Sequence, residues 1–158
     1  MSQTVEVLEY NVDTGELAYY LERRTIVAAE VFKALCWLYL GLQEQGWKNI
    51  RAPESLVDHV IDEFSLVLVK DTLIAFSVTQ PWFTTDRVLS EEFIAPVAAD
   101  YATMEEAVAC LSLIGSRSGC GMLSLGTRAN PRQQGLARLF QQTGAKLSTI
   151  ELIKDLSL

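Results

Sequence analysis

The residue types that most often carry nucleophilic or metal-dependent chemistry are few in this sequence. His59 is the only histidine, and no cluster of cysteines or carboxylates accompanies it at metal-ligand spacing. Cys36 and Cys110 lie in apolar patterns of helical period, and Cys120 lies between two glycines, so their spacings do not indicate a disulfide framework. The sequence therefore predicts reduced thiols, no metal site, and no Ser-His-Asp or Cys-His nucleophile.

Charge is spread unevenly along the chain. The formal net charge is -7, from 13 basic and 20 acidic residues, and a net acidic chain is a poor general binder of nucleic acid. After Gly115 the basic residues outnumber the two acids, Glu151 and Asp155. These basic residues are Arg117, Arg128, Arg132, Arg138, Lys146 and Lys154. They form either a solvated face or, in the sharper interpretation, a local anion site or a contact for an acidic partner.

Length and composition indicate one globular domain over residues 1–158. Hydrophobic residues make up 49% of the chain and charged residues 21%, which excludes a disordered protein. Residues 31–42 form the richest apolar run, which is too short to cross a bilayer and predicts a buried helix. Residues 1–6 lack the basic start and apolar core of a signal peptide, so we expect a cytoplasmic protein without a membrane partner.

Hydrophobic periodicity and turn residues predict an alternating order of strands and helices. We expect Leu139 to be a core position of the last helix. The predicted elements are a strand at 4–12, a turn at 13–15, helices at 22–45 and 53–61, a hairpin of strands 65–69 and 73–79 with its turn at 70–72, a strand at 88–94, a helix at 103–114, a strand at 122–125, a capped helix after 130 and a returning strand.

The last forty residues are the most specific part of the sequence. Asn130 is a suitable N-cap, Pro131 suits the first helical position, and Gly144 suits the left-handed residue after the helix. This order of strand, Asn-Pro, helix and glycine resembles the end of the GNAT N-acetyltransferases. The resemblance implies an α/β fold with a GNAT-like mixed, mostly antiparallel sheet flanked by helices. The tail, formed by residues 126–130, 138–140 and 144–145, looks most like the short, diverged GNAT-like proteins encoded by tailed phages.

The resemblance implies an acetyl-CoA pyrophosphate loop after the fourth strand. Residues 97–103 stand there, but they contain no glycine and Asp100 brings a repelling charge. The letters of that loop recur at residues 132–137, where the favoured interpretation is a helix with an interior glycine. If this second match were the loop, the acyl-CoA site would lie there. If the protein were active, Asn130 and Arg132 would hold acetyl-CoA.

The catalytic groups that the resemblance implies are also altered. Phe140 occupies the position where the family often has a tyrosine that protonates the leaving thiolate, and phenylalanine has no proton to give. Glu91 and Glu92 lie where the family's fourth strand often carries a general base, which needs a raised pKa or a bridging water. The alternative for these two glutamates is a solvated pair without a catalytic role.

Two aromatic residues beside a proline, Trp82 and Phe83, stand in the connection before residue 88. They either fold back on the core, which is the favoured interpretation, or form an interface with a partner. Because the glycine-containing pyrophosphate loop and the tyrosine that serves as general acid are both missing, the sequence favours a non-catalytic protein without a cofactor. Its partner would be another protein, in a virion or in self-assembly, and its location the host cytoplasm or virion if a phage encodes it. The alternative is an active N-acetyltransferase that uses acetyl-CoA to acetylate an amine.

Overall fold

The computed structural model describes residues 7–19, 24–126, 133–149 and 151–156. Four helices and five strands lie in these ranges. In chain order they are β1 (Val7–Asn11), β2 (Glu16–Tyr19), α1 (Arg24–Glu44), α2 (Pro53–Glu63), β3 (Ser65–Thr79), β4 (Val88–Tyr101), α3 (Met104–Arg117), β5 (Met122–Ser124) and α4 (Gln133–Gln142). None of the described helices is both long enough and apolar enough to span a membrane.

The five strands form one mixed sheet in the order β2-β1-β3-β4-β5. The β1–β2 and β3–β4 ladders are antiparallel and contain most of the paired residues, whereas β1–β3 and β4–β5 are parallel. The turn predicted at 13–15 is confirmed, and Gly15 adopts a φ of +69° there. The strand β2 that follows this turn was missed, because residues 16–19 are too few for a clear alternation.

The central strand β3 is one continuous element, so the hairpin predicted for residues 65–79 is wrong. An irregularity interrupts its ladder between Lys70, which has a φ of +52°, and Thr72. Before it, Val67 and Val69 face the α3–α4 side of the sheet; after it, Ile74 and Phe76 face that side. The bulge thus shifts the two-residue alternation by one position. Two apolar runs out of phase, with a polar triplet between them, produced the appearance of a turn.

Two hydrophobic layers cover the two faces of the sheet. One layer contains Leu111 of α3 and Phe140 of α4, and the other contains Val31 of α1 and Val60 of α2. Because β3 is covered on both faces, its sequence contains two nearly continuous apolar stretches. A strand with one face in solvent would instead have polar residues at alternate positions.

Three expectations for the helices and the tail are corrected. Leu139 is 41% exposed, and Leu136 and Phe140 are the buried residues of α4, so the core face lies one position away from the predicted one. The helix α1 is buried on one side only, because Phe32 and Leu40 on its outer side are exposed. The described residues of the tail, 145–149 and 151–156, do not form the returning strand.

Candidate functional site

The two predicted catalytic glutamates lie at a β-bulge in β4. Ala75 pairs with Phe93 and Phe76 pairs with Glu91, which leaves Glu92 as an extra residue in the ladder. Glu92 is exposed and its Oε1 accepts a hydrogen bond from Ser77 Oγ at 2.8 Å. Glu91 is half-buried, and a Cβ placed on Gly126 would lie 3.8 Å from its Oε2. The bulge therefore gives the two carboxylates different surroundings, and only Glu91 borders the gap described next.

Beyond this bulge β4 and β5 cease to pair. The parallel ladder ends at Ser90 opposite Ser124, although β4 continues to Tyr101. A small cavity lies beside the resulting gap, with about 20 Å³ open to a water-sized sphere. This volume is enough for roughly one water molecule. Side chains from both hydrophobic layers line it, among them Trp37, Leu38, Phe93, Leu136 and Phe140, together with Glu91.

Phe140 lies buried in the wall of this cavity, 5% exposed. Its ring contributes packing to the core and offers no exchangeable proton. The gap between β4 and β5 therefore opens onto a mostly apolar wall, in which the carboxylate of Glu91 is the ionisable group. A water in this cavity could bridge Glu91 to an amine, which is the arrangement a general base requires.

The end of β4 differs from the predicted loop at residues 97–103. The strand continues to Tyr101, and the prediction that it ends at residue 94, before this loop, is wrong. Lys70 pairs with Tyr101 and Thr72 pairs with Pro96, so residues 97–100 bulge out opposite Asp71 alone. Only residues 102 and 103 connect β4 to α3. A proline at the edge of an irregularity does not have to end a strand, because its missing N–H falls where the ladder is already interrupted.

Side chains of the same chain bind the backbone N–H groups at this β4–α3 junction. The Asp100 N–H donates to Asp71 Oδ2 at 3.0 Å, and the Ala102 N–H donates to the buried Thr72 Oγ1 at 2.7 Å. The Glu106 N–H donates to Thr103 Oγ1 at 3.1 Å, which confirms the predicted cap of α3. These three donors are therefore already satisfied by the fold.

The charge at the junction is predominantly negative. Lys70 Nζ lies 3.1 Å from Glu106 Oε2, and the hydrogen bond with Glu106 raises the pKa of Lys70, with Asp100 and Asp13 adding to the shift. Glu105 joins Glu106 in the first turn of α3, where carboxylates interact favourably with the helix dipole. The helix N-terminus thus has its own anions close by.

The loop between β3 and β4 exposes two aromatic side chains. Trp82 is 96% exposed and Phe83 is 72% exposed, so the interpretation that they fold back on the core is wrong. Their rings meet edge to face with centroids 5.6 Å apart. The base of the loop is anchored, because Arg87 Nη1 donates to Ser118 O at 3.0 Å and the Gly121 N–H donates to Arg87 O at 3.0 Å.

The remaining candidates are not brought into one site. Asn130 and Arg132, named as acetyl-CoA ligands for an active protein, lie outside the described residues. Gly135 lies inside α4, which supports the helical interpretation of the second loop-like match. The His59 ring packs edge to face on Phe64 at 5.8 Å, and burial raises the pKa of the Cys110 thiol to about 12. Neither His59 nor Cys110 lines the cavity beside Glu91.

Sequence reasoning missed Asp71 and Thr72, the residues that close the β4–α3 junction. Their positions in a polar triplet between two apolar runs were visible, and a phase change between these runs is the signal of a bulge. Their hydrogen-bond partners are about thirty residues away, so the pairing itself has no local signature.

Comparison with known proteins supports the architecture. No protein-family model matches this sequence, and no curated protein matches it. A solved structure of an aminoglycoside acetyltransferase from an uncultured soil metagenomic sample has a similar fold, with a TM-score of 0.53. The match covers 84% of this chain and 92% of that one at 10% identity. Identity at this level shows the fold alone, and the predicted GNAT-like α/β fold, a mixed sheet flanked by helices, is confirmed.

Proposed function

We propose that this chain is a GNAT-fold protein that has no acetyl-CoA site at the β4–α3 junction and that acts by binding another protein. The observation that carries the proposal is that three backbone N–H donors of this junction are already bound. The N–H groups of Asp100, Ala102 and Glu106 donate to side chains of the chain itself. A diphosphate needs free N–H donors that converge on it. These three N–H groups could bind a diphosphate only after their present hydrogen bonds had been broken.

Electrostatic repulsion also opposes the binding of a diphosphate at this junction. The carboxylates of Asp71, Asp100, Glu105 and Glu106 surround the junction, and one of them is already paired with Lys70. A diphosphate placed there would face an excess of like charge. Binding at this position therefore requires both rearrangement of the junction and compensation of the charge.

The exposed pair Trp82 and Phe83 supports protein binding. Large aromatic side chains are frequent anchors of interfaces, and each buries roughly 150–250 Å² when it is covered. The base of the loop is anchored at Arg87 and the two rings contact each other, which lowers the entropy cost of ordering the loop on binding. The partner is proposed to be a protein of a virion or of its assembly in the host cytoplasm, following the resemblance to phage-encoded GNAT-like proteins.

A second function is favoured by Glu91. It lines the cavity beside the gap where β4 and β5 separate, and strand residues there could pair with the linear part of an acyl donor. In this alternative the protein is an acetyltransferase, with Glu91 accepting the amine proton through water, Glu92 outside the gap, and acetyl-CoA held without the β4–α3 junction.

The experiment that separates these functions is a thermal shift measurement with acetyl-CoA. Saturation at 100 times the dissociation constant would stabilise the fold by about 2.7 kcal/mol, or roughly 5–10 °C for a domain of this size. We expect no shift at millimolar acetyl-CoA beyond that given by a nucleotide of similar charge. A specific upward shift with acetyl-CoA would contradict the proposal, and loss of amine acetylation in Glu91→Gln with the shift retained would support the acetyltransferase.

The protein-binding half is tested with the double variant Trp82→Ser/Phe83→Ser. Both side chains are exposed, so we expect an unchanged melting temperature together with loss of binding to virion proteins in a pull-down from infected or assembling cells. Leu152→Ser, at a residue that is 89% exposed elsewhere, is the matched control and should retain binding. Retained binding by the double variant would contradict the role of this loop.

A further inference from the structure

The helix α1 carries large apolar residues on its outer side as well as on the side that covers the sheet. Its inner side contributes Val31, Ala34 and Leu35 to the core. Its outer side carries Phe32 at 41% exposure and Leu40 at 61% exposure. A helix at the surface of a sheet normally places polar residues on its outer side, so this apolar outer side indicates a contact surface.

The exposed apolar residues form a narrow stripe. Ala29, Phe32, Cys36 and Leu40 follow at steps of three, four and four, which places them within a small arc of the helix. Cys36 is half-buried and lies at the middle of the stripe, with Phe32 four residues before it and Leu40 four residues after it. The central part of the stripe, formed by Phe32, Cys36 and Leu40, is therefore symmetric about Cys36 in spacing and in apolar character, whereas Ala29 has the exposed Gln43 as its counterpart.

We propose that this stripe is an interface with a second copy of the chain, in which the two α1 helices pack antiparallel with Cys36 opposite Cys36. A two-fold interface must be complementary to itself, because each contact occurs twice. In the antiparallel arrangement Phe32 of each copy lies against Leu40 of the other. The small side chains of Ala29 and Cys36 allow the two helices to approach closely.

Charges beside the stripe favour the same partner. Lys33 and Glu44 are both exposed and lie on the same edge of the stripe. In the antiparallel pair, the two-fold axis relates this edge of one helix to the same edge of the other helix, and both edges lie on the same side of the interface. Lys33 of one copy therefore lies on the same side as Glu44 of the other. The edge thus presents opposite charges across the interface twice. An unrelated apolar partner would have no reason to match this arrangement.

The size of the stripe limits the expected affinity of the dimer. A helix of 21 residues is about 31 Å long, and contact along one side of it is smaller than the roughly 800 Å² per partner of a standard interface. We therefore expect a weak dimer that forms at high protein concentration and dissociates on dilution.

Disulfide capture tests the geometry. In a Cys120→Ser background, Cys36 should form an intermolecular disulfide under mild oxidation, because antiparallel contact about Cys36 brings the two Cα atoms within about 7 Å. Cys110 is fully buried and does not compete. In a Cys36→Ser/Cys120→Ser background, Phe32→Cys should cross-link with Leu40→Cys in a mixture of the two variants. Preferential cross-linking of Phe32→Cys with itself would overturn the antiparallel arrangement.

Sedimentation equilibrium tests the association itself. We expect the wild type to show a concentration-dependent increase in mass and Leu40→Glu to remain monomeric with an unchanged melting temperature. The matched control is Leu139→Glu, which places the same substitution on another helix, α4, at a leucine that is 41% exposed. This variant should dimerise like the wild type. Lys33→Glu should weaken the dimer, and Lys33→Glu/Glu44→Lys should restore it. A wild type that stays monomeric at high concentration, or Leu40→Glu that dimerises normally, would overturn the proposal.

Discussion

Substitution of Thr72 by valine removes the hydrogen bond that joins the β3 bulge to the end of β4. Thr72 is 2% exposed and Ala102 is 3% exposed, and the bond between them is 2.7 Å long. Valine has nearly the same volume, so Thr72→Val creates no cavity but leaves the Ala102 N–H buried without its acceptor. An unsatisfied buried donor costs about 1–3 kcal/mol. For a domain of this size, this cost corresponds to a fall in melting temperature of roughly 2–12 °C.

The assay for Thr72→Val is urea denaturation followed by circular dichroism, with the free energy of unfolding and the m-value fitted together. We expect a lower midpoint with an unchanged m-value, because the denatured state is unaffected. Thr79→Val is the matched control, since Thr79 is an exposed residue of the same strand and its replacement should leave the midpoint almost unchanged. Equal stability of Thr72→Val and the wild type would refute the view that this bond closes the junction.

Three further substitutions or measurements test the packing. Phe140→Ala should destabilise the fold by about 3–5 kcal/mol because the ring is buried, whereas Leu139→Ala should cost far less; similar losses in denaturation would reject this orientation of α4. Gly144→Ala should lower the melting temperature, since a φ of +100° strains any other residue by about 1–3 kcal/mol even though its Cβ would meet no neighbour within 4 Å. Burial raises the pKa of Cys110 from 9.0 to about 12, so the thiol stabilises the fold below pH 9 and this contribution is lost as pH rises towards 12. Between pH 9 and pH 12 the free energy of unfolding of Cys110→Ala should therefore fall by less than that of the wild type. An equal fall in the two proteins would contradict the raised pKa of Cys110.

Local signals predicted the parts of the fold that depend on local chemistry. The cap of α3 at Thr103, the left-handed Gly144 and the turn before Gly15 are fixed by side-chain and backbone preferences within a few residues. The order of the long elements also followed from periodicity. The single central strand did not, because the bulge at residues 70–72 inverts the alternation and imitates a turn.

The candidate site was less predictable because its contacts are distant in sequence. The network at the β4–α3 junction joins Asp71 and Thr72 to residues 100 and 102, and no local pattern specifies that pairing. Residues 97–103 contain no glycine, and residues 97–101 belong to β4 rather than to a loop. The exposure of Trp82 and Phe83 depends on how the loop leaves the sheet, and aromatic composition alone favoured the core.

Amide chemical shifts of a ¹⁵N-labelled sample during titration with acetyl-CoA test whether the β4–α3 junction is closed to this ligand. We expect the amide shifts of Asp100, Ala102 and Glu106 to stay unchanged, because their hydrogen-bond partners are side chains of the same chain. Saturable shifts confined to Glu91 and Phe93 would instead support the acetyltransferase that uses the gap between β4 and β5. Saturable shifts of the Asp100, Ala102 and Glu106 amides would contradict the claim that the fold has closed this junction to acetyl-CoA.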